Sequence, residues 1–225
     1  MPRGNIVFVT GTDTGVGKTY VACGLLRALR TAGRSVAARK PAETGCAAGQ
    51  GEMLFPADAA ALRDAAGADE PLSAVCGIRL AEPLAPAVAA ARAGIAIDVE
   101  RLRDECLRRA AEVDVLVVEG AGGLLVPLSG HRSFADFAQQ LRAELLLVVG
   151  ARLGAINHAL LTLEVARGRA LPVRALVVNH FQPGSDSATQ TLATTLRELA
   201  GVPHVIEVEG GGDAAAALGT LARAW

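Results

Sequence analysis

The stretch VTGTDTGVGKT, Val9 to Thr19, closes on a glycine, a lysine and a hydroxyl residue, the ending of a phosphate-binding loop. Five residues separate Gly11 from Gly17, one more than the usual motif allows, so the loop is lengthened. Gly11, Thr14, Gly15 and Gly17 leave little side chain to keep backbone amides away from phosphate oxygens. A helix starting near Gly17 or Lys18 adds its dipole, worth about 0.3–1 kcal/mol to an anion, which is too little for a triphosphate without added positive charge. Lys18 is placed to supply that charge between β- and γ-phosphates, and the Thr19 hydroxyl to ligate Mg²⁺. Glu119 closes the apolar run DVLVVEG and is the first candidate for a carboxylate beside the metal, since a carboxylate there needs a cation or solvent. Asp58, in FPADAAAL, is the second, and equally a candidate cap for a helix at Ala59. Lys40 ends SVAARK, with Pro41 stiffening the exit and Thr44 offering a hydroxyl. Two lysines around one phosphate are more cation than a simple P-loop switch uses, and suggest a further anion in the site.

Six apolar runs must carry these residues: NIVFVT, SVAARK, DVLVVEG, ELLLVVG, VRALVVNH and PHVIEV. Continuous runs of this kind suit parallel strands covered on both faces, and their alternation with Ala/Leu/Arg-rich segments predicts a doubly wound, mainly parallel α/β sheet. In the first helical segment Val21, Leu25, Leu29 and Ala32 fall at helical spacing, with Gly33 as the stop. SFAD, Ser133 to Asp136, predicts a capping box opening a helix over Phe134 to Arg142. EGGGDAAAALG reads as a loop before a terminal helix. Lys40 to Thr44, Glu119 to Gly123, Asn179 and the first loop all fall at strand ends, where ligands sit in such folds.

The 225 residues are expected to form a single domain over 1–225. Lys plus Arg number 22 against 23 Asp plus Glu, a balance that gives no support for a nucleic-acid surface, so any anion site is local. No apolar run approaches a bilayer span, and MPRGNIVFVT passes straight into a strand without a leader pattern, so no membrane partner and a cytoplasmic location are expected. Cys23, Cys46, Cys76 and Cys106 form no C-x-x-C pair and read as buried free thiols; the histidines at 131, 158, 180 and 204 form no metal-spaced set.

VTGTDTGVGKT, KPAETG, LAEPLAPAVAA, VVEGAGGLLVPL, LGAINHALLT and VVNH, in that order over about residues 5–180, resemble the dethiobiotin synthetase family. That resemblance implies a P-loop NTPase-like fold and an ATP- and Mg²⁺-dependent reaction in which 7,8-diaminononanoate and CO₂ give dethiobiotin, ADP and phosphate. It implies that Thr14, Lys18, Lys40 and Thr44 surround a carbamate and the γ-phosphate, and that Asp13, Thr14, Gly15, Val16, Gly17, Lys18, Thr19 and Tyr20 form the nucleotide-binding segment with Glu119 and Asn179, the latter reading adenine. Thr19, Asp58 and Glu119 would hold Mg²⁺. Thr44, Pro83, Gly120, Ala121, Gly122 and Gly123 would meet the diamine, whose carboxylate would be taken by Leu153, Gly154 and Asn157 across a homodimer interface. Where many relatives carry Pro-Trp-Leu near 207–210 this chain reads EVEGGGD, so base contacts there and the choice of ATP over another nucleoside triphosphate stay open.

Three rivals share parts of this pattern. Partition or positioning switch ATPases resemble KGGxGKT, with an early lysine that TDTGVGKT lacks. GTPases carry Asn-Lys-x-Asp, which NHFQ at Asn179 to Gln182 is not. Cobyrinate-type synthases, which also activate a carboxylate by phosphorylation, usually add a glutaminase domain for which 225 residues leave no room.

Overall fold

The computed structural model describes residues 4–49, 53–180 and 187–225. The chain runs through β1 (Asn5–Gly11), α1 (Lys18–Thr31), β2 (Val36–Arg39), β3 (Ala42–Thr44), β4 (Ala47–Ala48), β5 (Leu54–Phe55), α2 (Ala57–Ala66), α3 (Leu72–Val75), β6 (Ile78–Leu80), α4 (Pro86–Arg92) and α5 (Val99–Ala110). It continues through β7 (Val115–Gly123), β8 (Pro127–Ser129), β9 (Arg132–Ser133), α6 (Phe134–Leu141), β10 (Glu144–Gly150), α7 (Ala155–Gly168), β11 (Val173–Asn179), α8 (Ser187–Leu199), β12 (Val205–Val208) and α9 (Ala214–Ala222).

The six apolar runs become one six-stranded sheet in the order β12-β11-β10-β1-β7-β2, and every pairing in it is parallel. Side chains on a strand alternate between faces, and the core follows that rule. Val7 and Val9 of β1 join Val115 and Val117 of β7 beneath α1, α2 and α9, while Ile6 and Phe8 join Leu116 and Val118 beneath α5 and α6. Phe8 meets the rings of Phe134 and Phe137, with centroids 6.1 and 6.4 Å away. A sheet buried on both faces needs continuous apolar strands, which is why the sequence runs lack alternation. β1 sits between β7 and β10, so the chain leaves it one way to β2 and returns on the other side through β10. That reversal opens a crevice at the carboxyl end of β1, where the glycine-rich loop lies.

Helix α1 buries Val21, Leu25 and Leu29 as expected, but Ala32 is exposed because the helix has already ended at Thr31. Asp213 caps α9 by accepting the Ala215 N–H at 2.9 Å. No helix among the described residues is long and apolar enough to cross a membrane. The capping box at α6 forms as the spacing predicts: Ser133 Oγ accepts the Asp136 N–H at 3.3 Å, and Asp136 Oδ2 accepts the Ser133 N–H at 2.7 Å. The helix stops at Leu141, one residue short of the expected end, because Arg142 takes a left-handed conformation with φ 53°. Ser133→Ala is expected to remove about 1 kcal/mol of stability and lower the melting temperature by roughly 2–4 °C with turnover unchanged, as thermal denaturation and an activity assay would measure.

Candidate functional site

Gly17 precedes α1 at φ 87°, a left-handed conformation that a side chain would strain, and it turns the loop so that Lys18 opens the helix. Lys18 is buried and donates from Nζ to the Asp13 carbonyl at 3.1 Å, folding its ammonium back over the loop. Burial, together with the positive charge of Lys40, holds its pKa below the ordinary lysine value. Asp13 accepts the Thr14 N–H at 2.7 Å, which holds its carboxyl below the usual range, and also pairs with Arg152 at 2.7 Å. Arg152 stands at the end of the neighbouring strand, and no motif in the sequence pointed to it.

Lys40 lies across the cavity from this loop. Its Nζ is bonded to Glu119 Oε1, sits 3.1 Å from Asp58 Oδ2, and donates to the Gly120 carbonyl at 3.2 Å. Burial alone would push the Lys40 pKa down, but the Glu119 and Asp58 carboxylates outweigh it and hold the pKa above the ordinary lysine value. Glu119 is fully buried, and its Oε1 also accepts from the Thr19 hydroxyl at 2.9 Å. Its Oε2 is buried with no hydrogen-bond partner. An orphaned carboxylate oxygen beside the Thr19 hydroxyl and the half-exposed Asp58 makes an all-oxygen donor set suited to a hard divalent cation, so the residues present fit Mg²⁺.

Asp58 does not cap a helix at Ala59. It lies in the first turn of α2, which starts at Ala57 after Pro56, and its carboxylate turns to Lys40. The capping is done by Glu43, whose two oxygens accept the N–H groups of Asp58 and Ala59, each at 2.9 Å. The sequence reading missed Glu43, because the helix it serves begins beyond a hairpin and no fixed spacing joins them.

One cavity of about 470 Å³ gathers Thr14, Gly15, Gly17, Lys18 and Thr19 of the loop. Facing them are Lys40, Thr44, Asp58 and Glu119, with Pro83, Ala121 and Gly122 beside them. Leu84, Ala85, Pro86 and Val126, which the sequence did not single out, give the cavity an apolar wall. The register between β1 and β7 explains how Ala121 and Gly122 reach it. Val9 pairs with Glu119 and Gly11 with Gly123, so a two-residue step on β1 matches a four-residue step on β7, and the extra residues bulge outward. Gly123 returns to the ladder opposite Gly11. A Cβ on Gly120 would lie 3.1 Å from the Phe8 ring, so its smallness serves packing.

The remaining expected residues do not line the cavity. Val16 is the buried residue of the loop, and its carbonyl accepts from Asn179 Nδ2 at 3.0 Å. Tyr20 donates its hydroxyl to the Gly212 carbonyl, tying α1 to the turn after β12. Leu153, Gly154 and Asn157 are exposed at the start of α7, where Gly154 is the N-cap at φ 88°. Phe181 and Gln182 of NHFQ lie outside the described residues.

All four cysteines are buried and free, and burial pushes Cys23 up to about 11 and Cys76 and Cys106 up to about 12, so none of these three offers a thiolate near neutral pH. The histidines do make one grouping that their spacing concealed. His180, Glu207 and Glu209 bring ligand atoms within 4.8 Å of one another from the ends of β11 and β12, where Arg197 already pairs with Glu207 at 2.8 Å. A larger cavity of about 910 Å³, bordered by Met53, Phe55, Ile78 and Ile95, contains none of the expected residues and, among the described residues, no carboxylate.

A family model described as an AAA domain matches residues 5–211. The chain is 45% identical over 193 residues to an ATP-dependent dethiobiotin synthetase of Anaeromyxobacter dehalogenans (strain 2CP-C), covering 86% of this chain and 84% of that protein. It is 42% identical over 203 residues to the enzyme so named from Aromatoleum aromaticum, covering 88% and 90%. Among solved structures it resembles the septum site-determining protein MinD of Pyrococcus horikoshii, complexed with Mg-ADP, at a TM-score of 0.63 and 16% identity over 97% of this chain and 94% of the other. A ParA family ATPase from Chlorobium tepidum gives a TM-score of 0.57 and 15% identity, covering 97% and 98%. These structures share the fold, a P-loop NTPase-like α/β sheet, with the present chain.

Proposed function

The chain belongs to the ATP-dependent dethiobiotin synthetase family and is an enzyme, a ligase, and we propose that it closes the cyclic urea of dethiobiotin from 7,8-diaminononanoate, CO₂ and ATP in biotin biosynthesis. The observation that carries this is the convergence of Lys18, Lys40, Thr44 and Glu119 on one cavity that also has an apolar wall. A nucleotide switch has no use for an apolar wall beside a second lysine that comes from a strand end rather than from the loop. An aliphatic diamine carboxylated at one nitrogen has a use for both.

In the proposed sequence, one amine of the substrate adds to CO₂ and loses a proton, giving a carbamate. A carbamate oxygen then takes the γ-phosphoryl group, releasing ADP, and the second amine attacks the carbamate carbon and expels phosphate, closing the ring. The phosphoryl group turns a poor leaving oxygen into a good one. Thr19, Asp58 and Glu119 would hold Mg²⁺, which would supply charge neutralisation at the phosphates. Lys18 would span the β- and γ-phosphates, and Lys40 would face the carbamate and the transferring group, where the transition state gathers negative charge. Thr14 and Thr44 would donate hydrogen bonds to the same oxygens, and Ala121, Gly122 and Pro83 would hold the aliphatic chain. No unusual base is needed, because bringing the two amines and the carbamate together provides much of the acceleration. Asn179 would meet the adenine. The exposed N-terminus of α7, with Leu153, Gly154 and Asn157, would take the substrate carboxylate of a partner protomer in a cytoplasmic homodimer.

Incubation with ATP, Mg²⁺, bicarbonate and the diamine is expected to release phosphate and to yield a product with the mass of dethiobiotin. Phosphate release indifferent to both the diamine and bicarbonate would instead mark a switch ATPase.

A further inference from the structure

We propose that Glu43 is a positioning residue for this site, its buried carboxylate anchoring the first turn of α2 so that Asp58 is held against Lys40. This rests on the reading of Asp58 as a holder of Mg²⁺. The opening N–H groups of a helix have no partner within the helix, and at α2 the residue in the capping place is Pro56, which makes no side-chain cap. Glu43 fills that role from a distance. Its Oε1 accepts the Asp58 N–H and its Oε2 accepts the Ala59 N–H, each at 2.9 Å, and the residue is only 5% exposed.

Both ends of this clamp belong to the site. Glu43 lies on the short strand β3 immediately before Thr44, in the segment that follows Lys40, and it lines the same cavity. β3 pairs with β6 and stands outside the six-stranded sheet, so the central ladder does not fix its distance from α2. Asp58 is gripped at two points: Glu43 holds its backbone N–H, and its Oδ2 lies 3.1 Å from Lys40 Nζ. The carboxylate is half-exposed and would otherwise be free to swing into solvent. Burial raises the Glu43 pKa, with the nearby Asp58 carboxylate adding to the rise, while the Ala59 and Asp58 N–H groups and the helix dipole act against it, so the two amide bonds are what hold the carboxylate in place.

The test is the Mg²⁺ requirement, read as the concentration that gives half-maximal turnover at saturating ATP, bicarbonate and diamine and, without turnover, as the Mg²⁺ dissociation constant of the protein with ADP by titration calorimetry. Glu43→Gln keeps the side-chain volume but turns one acceptor into a donor that faces an N–H. It is expected to raise the half-saturating Mg²⁺ about 10-fold, the scale seen when an outer-shell partner of a metal ligand is lost, with a smaller change in kcat at saturating metal. Asp58→Asn should give a similar rise, and the double variant no further rise, because Glu43 acts through Asp58. Glu43→Asp, which keeps both acceptors, should fall between the parent and Glu43→Gln, and provides the measurement if Glu43→Gln does not fold. A raised Mg²⁺ requirement in Asp58→Asn but an unchanged one in the Glu43 variants would overturn the inference alone. A lowered melting temperature with unchanged Mg²⁺ dependence would do the same, since it would make Glu43 a helix cap and nothing more. An unchanged Mg²⁺ requirement in Asp58→Asn would remove Asp58 from the metal, and the inference with it.

Discussion

Replacing Lys18 by Met is expected to cut kcat/KM about a thousandfold while leaving the unliganded protein at least as stable as the parent. The loss of activity follows from position. Lys18 opens the helix behind the glycine-rich loop, and its ammonium folds over the Asp13 carbonyl until a better anion arrives. The stability expectation follows from burial and from the charge of Lys40 nearby. Burial and the neighbouring Lys40 depress the Lys18 pKa, so the folded chain binds that proton less readily than the unfolded chain does. Protonation therefore opposes folding at every pH below the folded value, and the opposition fades as pH rises toward the ordinary 10.5. Met keeps the aliphatic body and removes the charge. Thermal denaturation without ligand and steady-state kinetics on the same sample check both halves; parental activity would take Lys18 out of the site, and a marked fall in melting temperature would mean its charge is well compensated without ligand.

The parts of this site that could be read from sequence are those whose chemistry and place are fixed together. A loop that cradles phosphate has to follow a strand and start a helix, so Val9 to Thr19 showed its function in its spacing. Glu119 and Lys40 stood out because a charge closing a buried apolar strand has to face something, and in a parallel sheet it faces the crevice. The six runs gave all six strands of the central sheet for a related reason: strands covered on both faces cannot disguise themselves with polar alternation. The capping box at Ser133 was legible because both partners lie within one turn.

What stayed hidden depends on pairings between distant segments. Glu43 looks like any acid in a loop until α2 is brought against β3, and Asp58 looks like a cap until Glu43 is seen to hold the amides instead. The short ladders β3–β6, β4–β5 and β8–β9 involve only two or three residues per strand, too few for any period to register. The GAGG segment read as uniformly close to substrate, whereas the bulge in β7 divides it: Ala121 and Gly122 turn to the cavity, and Gly120 is small because Phe8 lies behind it. Small residues record that something is near without recording what.

Lys40→Met is expected to produce the opposite stability result with a comparable loss of activity. Here the carboxylates of Glu119 and Asp58 outweigh the effect of burial and raise the lysine pKa, so its charge favours folding. That contribution is complete below the ordinary lysine value of 10.5 and is lost only as pH climbs through the raised folded value. Removing the ammonium leaves Glu119 fully buried with a negative charge and only the Thr19 hydroxyl as donor. Breaking a buried pair in this way destabilises by about 3–5 kcal/mol, a large share of what a domain possesses. A second substitution separates stability from chemistry: Lys40→Met with Glu119→Gln removes both charges and should recover much of the melting temperature. Activity should stay about 10²- to 10³-fold below the parent in either variant, because the transferring phosphoryl group and the carbamate still lack their cation. For the single variant, KM for ATP should change far less than kcat, since Lys18 and the loop amides remain to bind the nucleotide. A variant that bound ATP poorly but turned over normally once saturated would move Lys40 from the carbamate to ordinary nucleotide binding. Recovery of activity together with stability in the double variant would mean that neither charge takes part in the reaction.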